Sequence, residues 1–322
     1  MNRRQTIPKH LRYTVENFNQ QFPNEDTCFV AIAERRFPNG MTHCEACQKE
    51  TKHHRVSGRT AYACDRCGKH EYPLAGTIFE KTTTKLRLWL YAMYLMASTR
   101  CGISAKQIQR ETGVTYKTAW RMFKQIRSLL AEELKLEGSS VEMDELYFGG
   151  RPRGKRRGPK WLETNKKSVV AGVVERKGKV IARVVEDASK KTLQGFAHQF
   201  ILPESTVFTD EHPSYTGLDK TYTHHRIQHA AGVYVRVEKG LPIHTQCIEG
   251  FWSTVQNGIR GVYHSVSKKY LQTYLDEYSF RYNRRDSGNL IFHAIFDRAV
   301  QPSAAKPDPT DGKKTAEISV PF

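Results

Sequence analysis

The chain has 322 residues, 39% of them hydrophobic, a formal net charge of +18 and a sequence pI of about 9.6. That length supports two or three domains with a sizeable core, and that charge points to a polyanionic partner, most often nucleic acid. The longest apolar stretch, LRLWLYAMYLM from Leu86, is too short for a bilayer and contains Arg87, and MNRRQTIPKH has no apolar run behind its basic start, so neither a membrane span nor a secretion signal is expected. A reducing, cytoplasmic setting follows, in which the seven cysteines are not expected to pair as disulfides.

Residues 1–80 are polar and carry four of those cysteines in two tight pairs, CEAC (Cys44, Cys47) and CDRC (Cys64, Cys67). The pattern is C-x2-C-x16-C-x2-C, centred on about residues 40–75. Each pair presents two thiolates to one point, and the spacer suits a hairpin that brings the pairs together. One structural zinc ion, closed by four thiolates, is the expected occupant; an iron–sulfur site or redox thiols are the other readings. Cys28, Cys101 and Cys247 lack such a partner and are expected as small buried side chains.

Residues 81–136 read as helices. Leu86, Trp89, Leu90, Met93 and Ala97 recur at helical spacing, as a core-facing stripe does. Ser104 with Gln107 fits a capping box, Gly113 breaks that helix, and a second follows from about Thr115 with Ala119, Phe123, Ile126 and Leu130 on one stripe. A short helix, a glycine turn and a basic helix form a helix-turn-helix pattern, whose outward, DNA-contacting residues would be Tyr116, Lys117, Arg121 and Lys124. The plainer reading is a helical hairpin with a solvated charged face.

Residues 139–300 alternate strand and helix patterns. In VEMDELYFGG, a strand would turn Val141 and Met143 to one face and Glu142 and Asp144 to the other. RPRGKRRGPKWLETNKK follows, with eight basic residues and one acid, and reads as a phosphate-contacting loop through Arg151, Arg153, Lys155, Arg156 and Arg157, or as a solvated linker. SVVAGVV and KVIARVVED read as strands joined by a tight ERKG turn, KKTLQGFAHQFI as a helix, and STVFTDEHPSY as a strand ending in Asp210. In QCIEGFWSTVQNGIRGV, Ile248, Phe251, Trp252, Val255 and Ile259 form a helical stripe with Glu249 on the first turn. His212, His224, His225, His229 and His244 cluster here at spacings too irregular for a second zinc site, and suit DNA contact or support of neighbouring acids. Tyr278 and Tyr282 suit packing, while Arg281, Arg284 and Arg285 suit phosphate or a solvated face equally. Residues 301–322, rich in Pro, Lys and small side chains, read as a flexible tail.

Strand, hairpin, helix, strand, helix is the order of a ribonuclease-H-like fold. The segments VEMDELYFGG, TDEHPSY, HTQCIEGFWS and YLDEYSFRYNRR, with GTIFEKTTTKLRLWL and VTYKTAWRM before them, resemble a bacterial insertion-sequence transposase of the DDE type, from the group with an N-terminal zinc ribbon. The resemblance covers roughly residues 20–300. It implies a multidomain α+β chain: an N-terminal region with the zinc ribbon (1–80), a helix-turn-helix DNA-binding domain (81–136), a ribonuclease-H-like catalytic domain with a mixed sheet (139–300), and the tail (301–322). It further implies that Asp144, Asp210 and Glu249 hold two Mg2+ ions, Asp144 bridging them, for cleavage of double-stranded DNA at transposon ends and joining to target DNA. A homodimer or larger assembly on DNA, within a bacterial nucleoid, is implied as well.

Each acid also has an ordinary reading: Asp144 a solvated strand residue, Asp210 a turn cap, Glu249 a helix N-terminal acid. The chain departs from the family pattern at Gln246, where relatives often carry Asn, and at Gln256, where they often carry Lys or Arg. A repurposed, inactive DNA-binding protein and a structure-specific nuclease on the same fold are the alternative functions.

Overall fold

The computed structural model describes residues 8–149 and 167–302. The expectations for Arg151, Arg153, Lys155, Arg156 and Arg157, and for the tail beyond residue 302, lie outside the described residues. The chain divides into two compact units, residues 15–91 with 293–302, and residues 8–14 with 92–292.

The first unit begins with helices α1 (Val15–Gln21) and α2 (Glu25–Arg36). Asn24 and Thr27 cap α2 reciprocally, each side chain accepting the other's amide. A four-stranded antiparallel sheet follows, β1 (Met41–Cys44), β2 (Lys49–Arg55), β3 (Tyr62–Cys64) and β4 (His70–Glu71), in chain order. The two cysteine pairs sit in its tight turns. Gln48 and Gly68 take left-handed φ of 51° and 74° just after Cys47 and Cys67, which lets each turn close.

Helix α3 (Leu86–Ser98) buries Leu86, Trp89, Leu90, Met93 and Ala97, the stripe read from the sequence. In the second unit, α4 (Ala105–Thr112) and α5 (Tyr116–Ser128) are separated by Gly113, left-handed at φ 71°. Ser104 accepts the Gln107 amide, but the Gln107 side chain reaches Glu111 instead of returning, so the expected reciprocal box is a one-way cap. The α5 stripe buries Ala119, Met122, Phe123 and Ile126.

The central sheet of the second unit has five strands, β5 (Ser140–Phe148), β6 (Ser168–Glu175), β7 (Val180–Val185), β8 (Thr206–Thr209) and β9 (Thr223–Arg226), in the order β7-β6-β5-β8-β9. β5, β6 and β7 run antiparallel; β8 and β9 lie parallel to β5. β6 is buried on both faces, which explains its unbroken SVVAGVV composition. On one face Ala171 and Val173 join Val141, Met143 and helix α6 (Lys190–Phe200). On the other, Val170 and Val174 pack against α7 (Gln246–Gly258) and α8 (Lys268–Asn283). A hairpin, β10 (Arg236–Glu238) and β11 (Leu241–Ile243), precedes α7.

The open edge of β7 is occupied by side-chain amides of α8. Gln272 accepts the Val184 amide and donates to the Ala182 carbonyl; Asn283 does the same for Val180. These bonds substitute for a missing strand and leave that edge no free template for another chain. The final helix is α9 (Ile291–Ala299).

Two expectations need correction. Arg281 and Arg284 are not a solvated face: Arg281 binds Glu277 and the Thr99 carbonyl and Arg284 binds Glu132, while Arg285 is exposed and donates to the carbonyls of Gly178 and Tyr282. Cys28 is buried as expected, but Cys101 is exposed and Cys247 half-buried. Among the described residues no helix is long and apolar enough to cross a membrane.

Candidate active site

The site is built on β5. Its alternation sends Val141 and Met143 into the α6 core and Glu142 and Asp144 toward α7. Asp144 pairs with Gly172 of β6. A Cβ at Gly172 would lie 2.4 Å from the Trp252 ring, so the missing side chain is what allows α7 to lie against the sheet beside Asp144. The parallel β5–β8 register matches Val141 with Val207 and Glu142 with Phe208. Continued two places, that register sets Asp210, the first residue after β8, next to Asp144. Asp210 Oδ1 accepts the His212 amide at 2.9 Å, which fixes the carboxylate at the strand end.

Glu249 comes from the first turn of α7. Its Oε1 accepts the Thr245 hydroxyl at 2.7 Å and lies 3.4 Å from Nε2 of His229. His229 in turn contacts the Thr245 hydroxyl at 3.0 Å, and its own amide is held by Glu211 at 2.8 Å. Glu145, on the opposite face of β5 from Asp144, accepts the hydroxyl of buried Tyr215.

These carboxylates act on one another. Burial, then the negative charges of Glu145, Asp210 and Glu249, push the Asp144 carboxyl up to about 7. The same environment, burial first and then Glu145 and Asp144, pushes Tyr215 well above the usual phenol range. Such convergence of like charge around a half-buried acid is unfavourable without a cation, and hard carboxylate oxygens are the donors that Mg2+ takes. The residues therefore fit a divalent metal in chemistry. They are not drawn tightly together: among the described residues, the only group of three or more metal-type ligands lying within 4.8 Å of one another is Cys44, Cys47, Cys64 and Cys67.

That cysteine set fits zinc. The Cys44–Cys67 and Cys47–Cys64 sulfurs are 3.6 and 3.9 Å apart, against the about 3.8 Å expected for tetrahedral ligands at ~2.3 Å from one ion. The Thr51 hydroxyl, 3.2 Å from the Cys64 sulfur, is the main cause that lowers that thiol to about 6, favouring the thiolate a metal needs. Lys69 bridges to Glu45 at 2.6 Å and ties the two turns together. Four thiolates leave no open position, so this zinc is structural.

Of the residues read as DNA contacts, Tyr116, Lys117 and Arg121 are exposed on α5, while Lys124 is half-buried with its ammonium 5.7 Å from the Tyr270 ring. Gln246 is exposed at the start of α7, and Gln256 lies two turns beyond Glu249 on the same helix. Among the histidines, His212 and His229 lie beside Glu145 and Glu249, His225 beside Glu238, and His224 bonds Thr209. In the sequence Glu142, like Glu145 and Glu211, reads as a neighbour that either supports the candidate acids or lies at the surface; it is fully buried. The available signal was its place on the same strand face as Asp144, since a buried acid requires partners.

Comparison with known proteins brings in two matches to family descriptions. Residues 135–283 match the ISXO2-like transposase domain, and residues 23–70 match the transposase zinc-ribbon domain. A protein of Halobacterium salinarum described as an uncharacterized protein in transposable element ISH50 is 28% identical over 281 residues, covering 81% of this chain and 91% of that protein.

Proposed function

We propose that this chain, which belongs to the ISXO2-like transposase family and carries its N-terminal zinc ribbon, is an active enzyme that binds the terminal repeats of its insertion sequence and cuts and joins DNA there. Asp144, Asp210 and Glu249 are the catalytic carboxylates. The observation carrying this reading is the convergence on Asp144: Asp210 follows in register on the neighbouring strand, Glu249 faces it from α7, and both raise its proton affinity.

Asp144, Asp210 and Glu249 would hold two Mg2+ ions. When bound, such ions activate the attacking oxygen and stabilise the leaving 3′ oxygen of an in-line displacement. The chain's own residues hold the acids in place: Gly172 admits α7, the His212 amide orients Asp210, and Thr245 orients Glu249. The five-stranded mixed sheet with helices on both faces supports a ribonuclease-H-like domain, and α4, Gly113 and α5 support a helix-turn-helix that presents Tyr116, Lys117 and Arg121 to DNA. Two copies pairing two element ends, at the bacterial nucleoid, complete this reading.

A second reading, a DNA-binding protein without catalysis, is favoured by one feature, the uncharged Gln256 where relatives often have a cation. Labelled DNA bearing the element's ends, incubated with Mg2+ and a target duplex, separates the two. Wild type is expected to nick at the repeat boundary and join the product to the target. Asp144→Ala, Asp210→Ala and Glu249→Ala are each expected to lose at least about 10³-fold in rate, since each removes a metal ligand and its charge. Binding of the ends without cleavage in Mg2+ or Mn2+ would establish the second reading.

A further inference from the structure

We propose that Glu142 is a positioning residue for the candidate catalytic centre, capping α7 from the neighbouring strand so that Thr245 is free to hold Glu249. The inference rests on the catalytic reading above.

Helices commonly begin at a Ser, Thr, Asp or Asn whose side chain accepts an amide of the first turn. Thr245 stands at that position of α7 but makes no such bond. Its hydroxyl is turned to Glu249 at 2.7 Å and His229 at 3.0 Å. The amides at the start of α7 are taken by Glu142 instead: its Oε2 accepts Cys247 N–H at 2.7 Å and Ile248 N–H at 3.1 Å. A carboxylate is well matched to the positive end of a helix dipole.

The other oxygen is equally occupied. Glu142 Oε1 accepts Nε of Arg176 at 2.9 Å and lies 3.1 Å from Nδ1 of His244. Arg176 sits in the turn after β6, over the Phe208 ring at 3.7 Å, and donates to the carbonyls of Pro242 and His244. One buried carboxylate thus joins β5, the β6–β7 turn, the segment after β11 and the first turn of α7. Glu142 and Asp144 are two residues apart on one strand face, so the bond that sets where α7 begins also sets Glu249 relative to Asp144. Had Thr245 capped α7 itself, its hydroxyl would not be available to Glu249.

The test uses the full chain with its zinc. Glu142→Gln keeps the shape and removes the charge; Thr245→Val removes the hydroxyl. Groups that orient metal ligands affect metal affinity or turnover by about 10–100-fold. Each variant is therefore expected to weaken Mn2+ binding, measured by electron paramagnetic resonance without DNA, at least about tenfold, and to lower kcat for end cleavage comparably with KM for DNA unchanged. Because both act through Glu249, the double variant is expected to be no worse than the weaker single one. Wild-type Mn2+ affinity and kcat in both variants, beside a dead Asp144→Asn, would overturn the inference and leave the catalytic reading standing. Cleavage surviving in Asp144→Asn would instead sink the catalytic reading, and this inference with it. If Glu142→Gln does not fold, Thr245→Val decides alone: Mn2+ affinity like wild type overturns the proposal.

Discussion

Asp144 sits where a carboxylate is least comfortable, half-buried and within the fields of Glu145, Asp210 and Glu249. Its folded value of about 7 stands above the ordinary 3.8 of an unfolded chain. Between those values the folded state keeps a proton that the unfolded state has released, so the metal-free protein loses stability as pH rises through that window. Asp144→Asn removes the cost. Scanning calorimetry at pH 8, with no divalent metal added, is expected to show the variant melting about 2–4 °C or more above wild type, as a gain of at least about 1 kcal/mol would produce. The gap should close as pH falls below 3.8, where Asp144 is protonated in both states. Equal melting temperatures at pH 8 would mean that the charge is already neutralised in the metal-free protein. An acid held at a cost in stability is the behaviour expected of a site whose electrostatics serve a ligand.

At the scale of elements, α5 is fastened to α8 by charge. Glu277, fully buried, accepts Nε of Arg127 at 2.7 Å and the guanidinium of Arg281 at 2.7 Å. Arg127 lies between the rings of Phe123 and Tyr274, 3.7 and 3.5 Å from their centroids. Burial pushes the Glu277 carboxyl up, but the two guanidiniums overcome it and hold the group below the usual glutamate value. The stabilisation is therefore present above the unfolded value of 4.5 and is lost as pH falls through the lower folded value. Glu277→Gln leaves two arginines without their counter-charge and is expected to cost about 3–5 kcal/mol in urea unfolding at pH 7. The variant's deficit should shrink as the acid limb is approached. A deficit independent of pH would show that packing, not charge, fastens α5.

For the whole molecule, the relevant quantity is the net charge of +18. Each phosphate neutralised by a protein cation releases condensed counterions, so log affinity for the DNA ends should fall linearly with log salt. Lys117 is exposed on α5. If it meets phosphate, Lys117→Ala is expected to reduce the magnitude of that slope by about 0.9, with similar loss on every sequence. Fluorescence anisotropy between 50 and 200 mM salt would read it, each concentration being about the range over which such slopes are resolved. An unchanged slope would remove α5 from the DNA-contacting surface.

What the sequence alone determines here is local. The two cysteine pairs, the Gly113 break between α4 and α5, the β5 alternation, the tight turn between β6 and β7, and Glu249 on the first turn of a helix all depend on residues within a few positions of one another. Patterns of that kind obey the periods of strand and helix and the demands of turns, which a sequence displays directly. The three acids are legible as candidates for the same reason: Asp144 stands on an alternating strand, Asp210 just after a strand and Glu249 on the first turn of a helix. Which carboxylates have partners is not legible. Glu142 meets the Cys247 amide 105 positions away, and Arg127 meets Glu277 at 150. Arg281, Arg284 and Arg285 look like any basic patch until Thr99, Glu132 and the β6–β7 turn are brought beside them. A charged side chain reads the same in sequence whether solvated or paired; only the tertiary fold, by excluding water and delivering a counter-charge or an amide from a distant element, decides which it is.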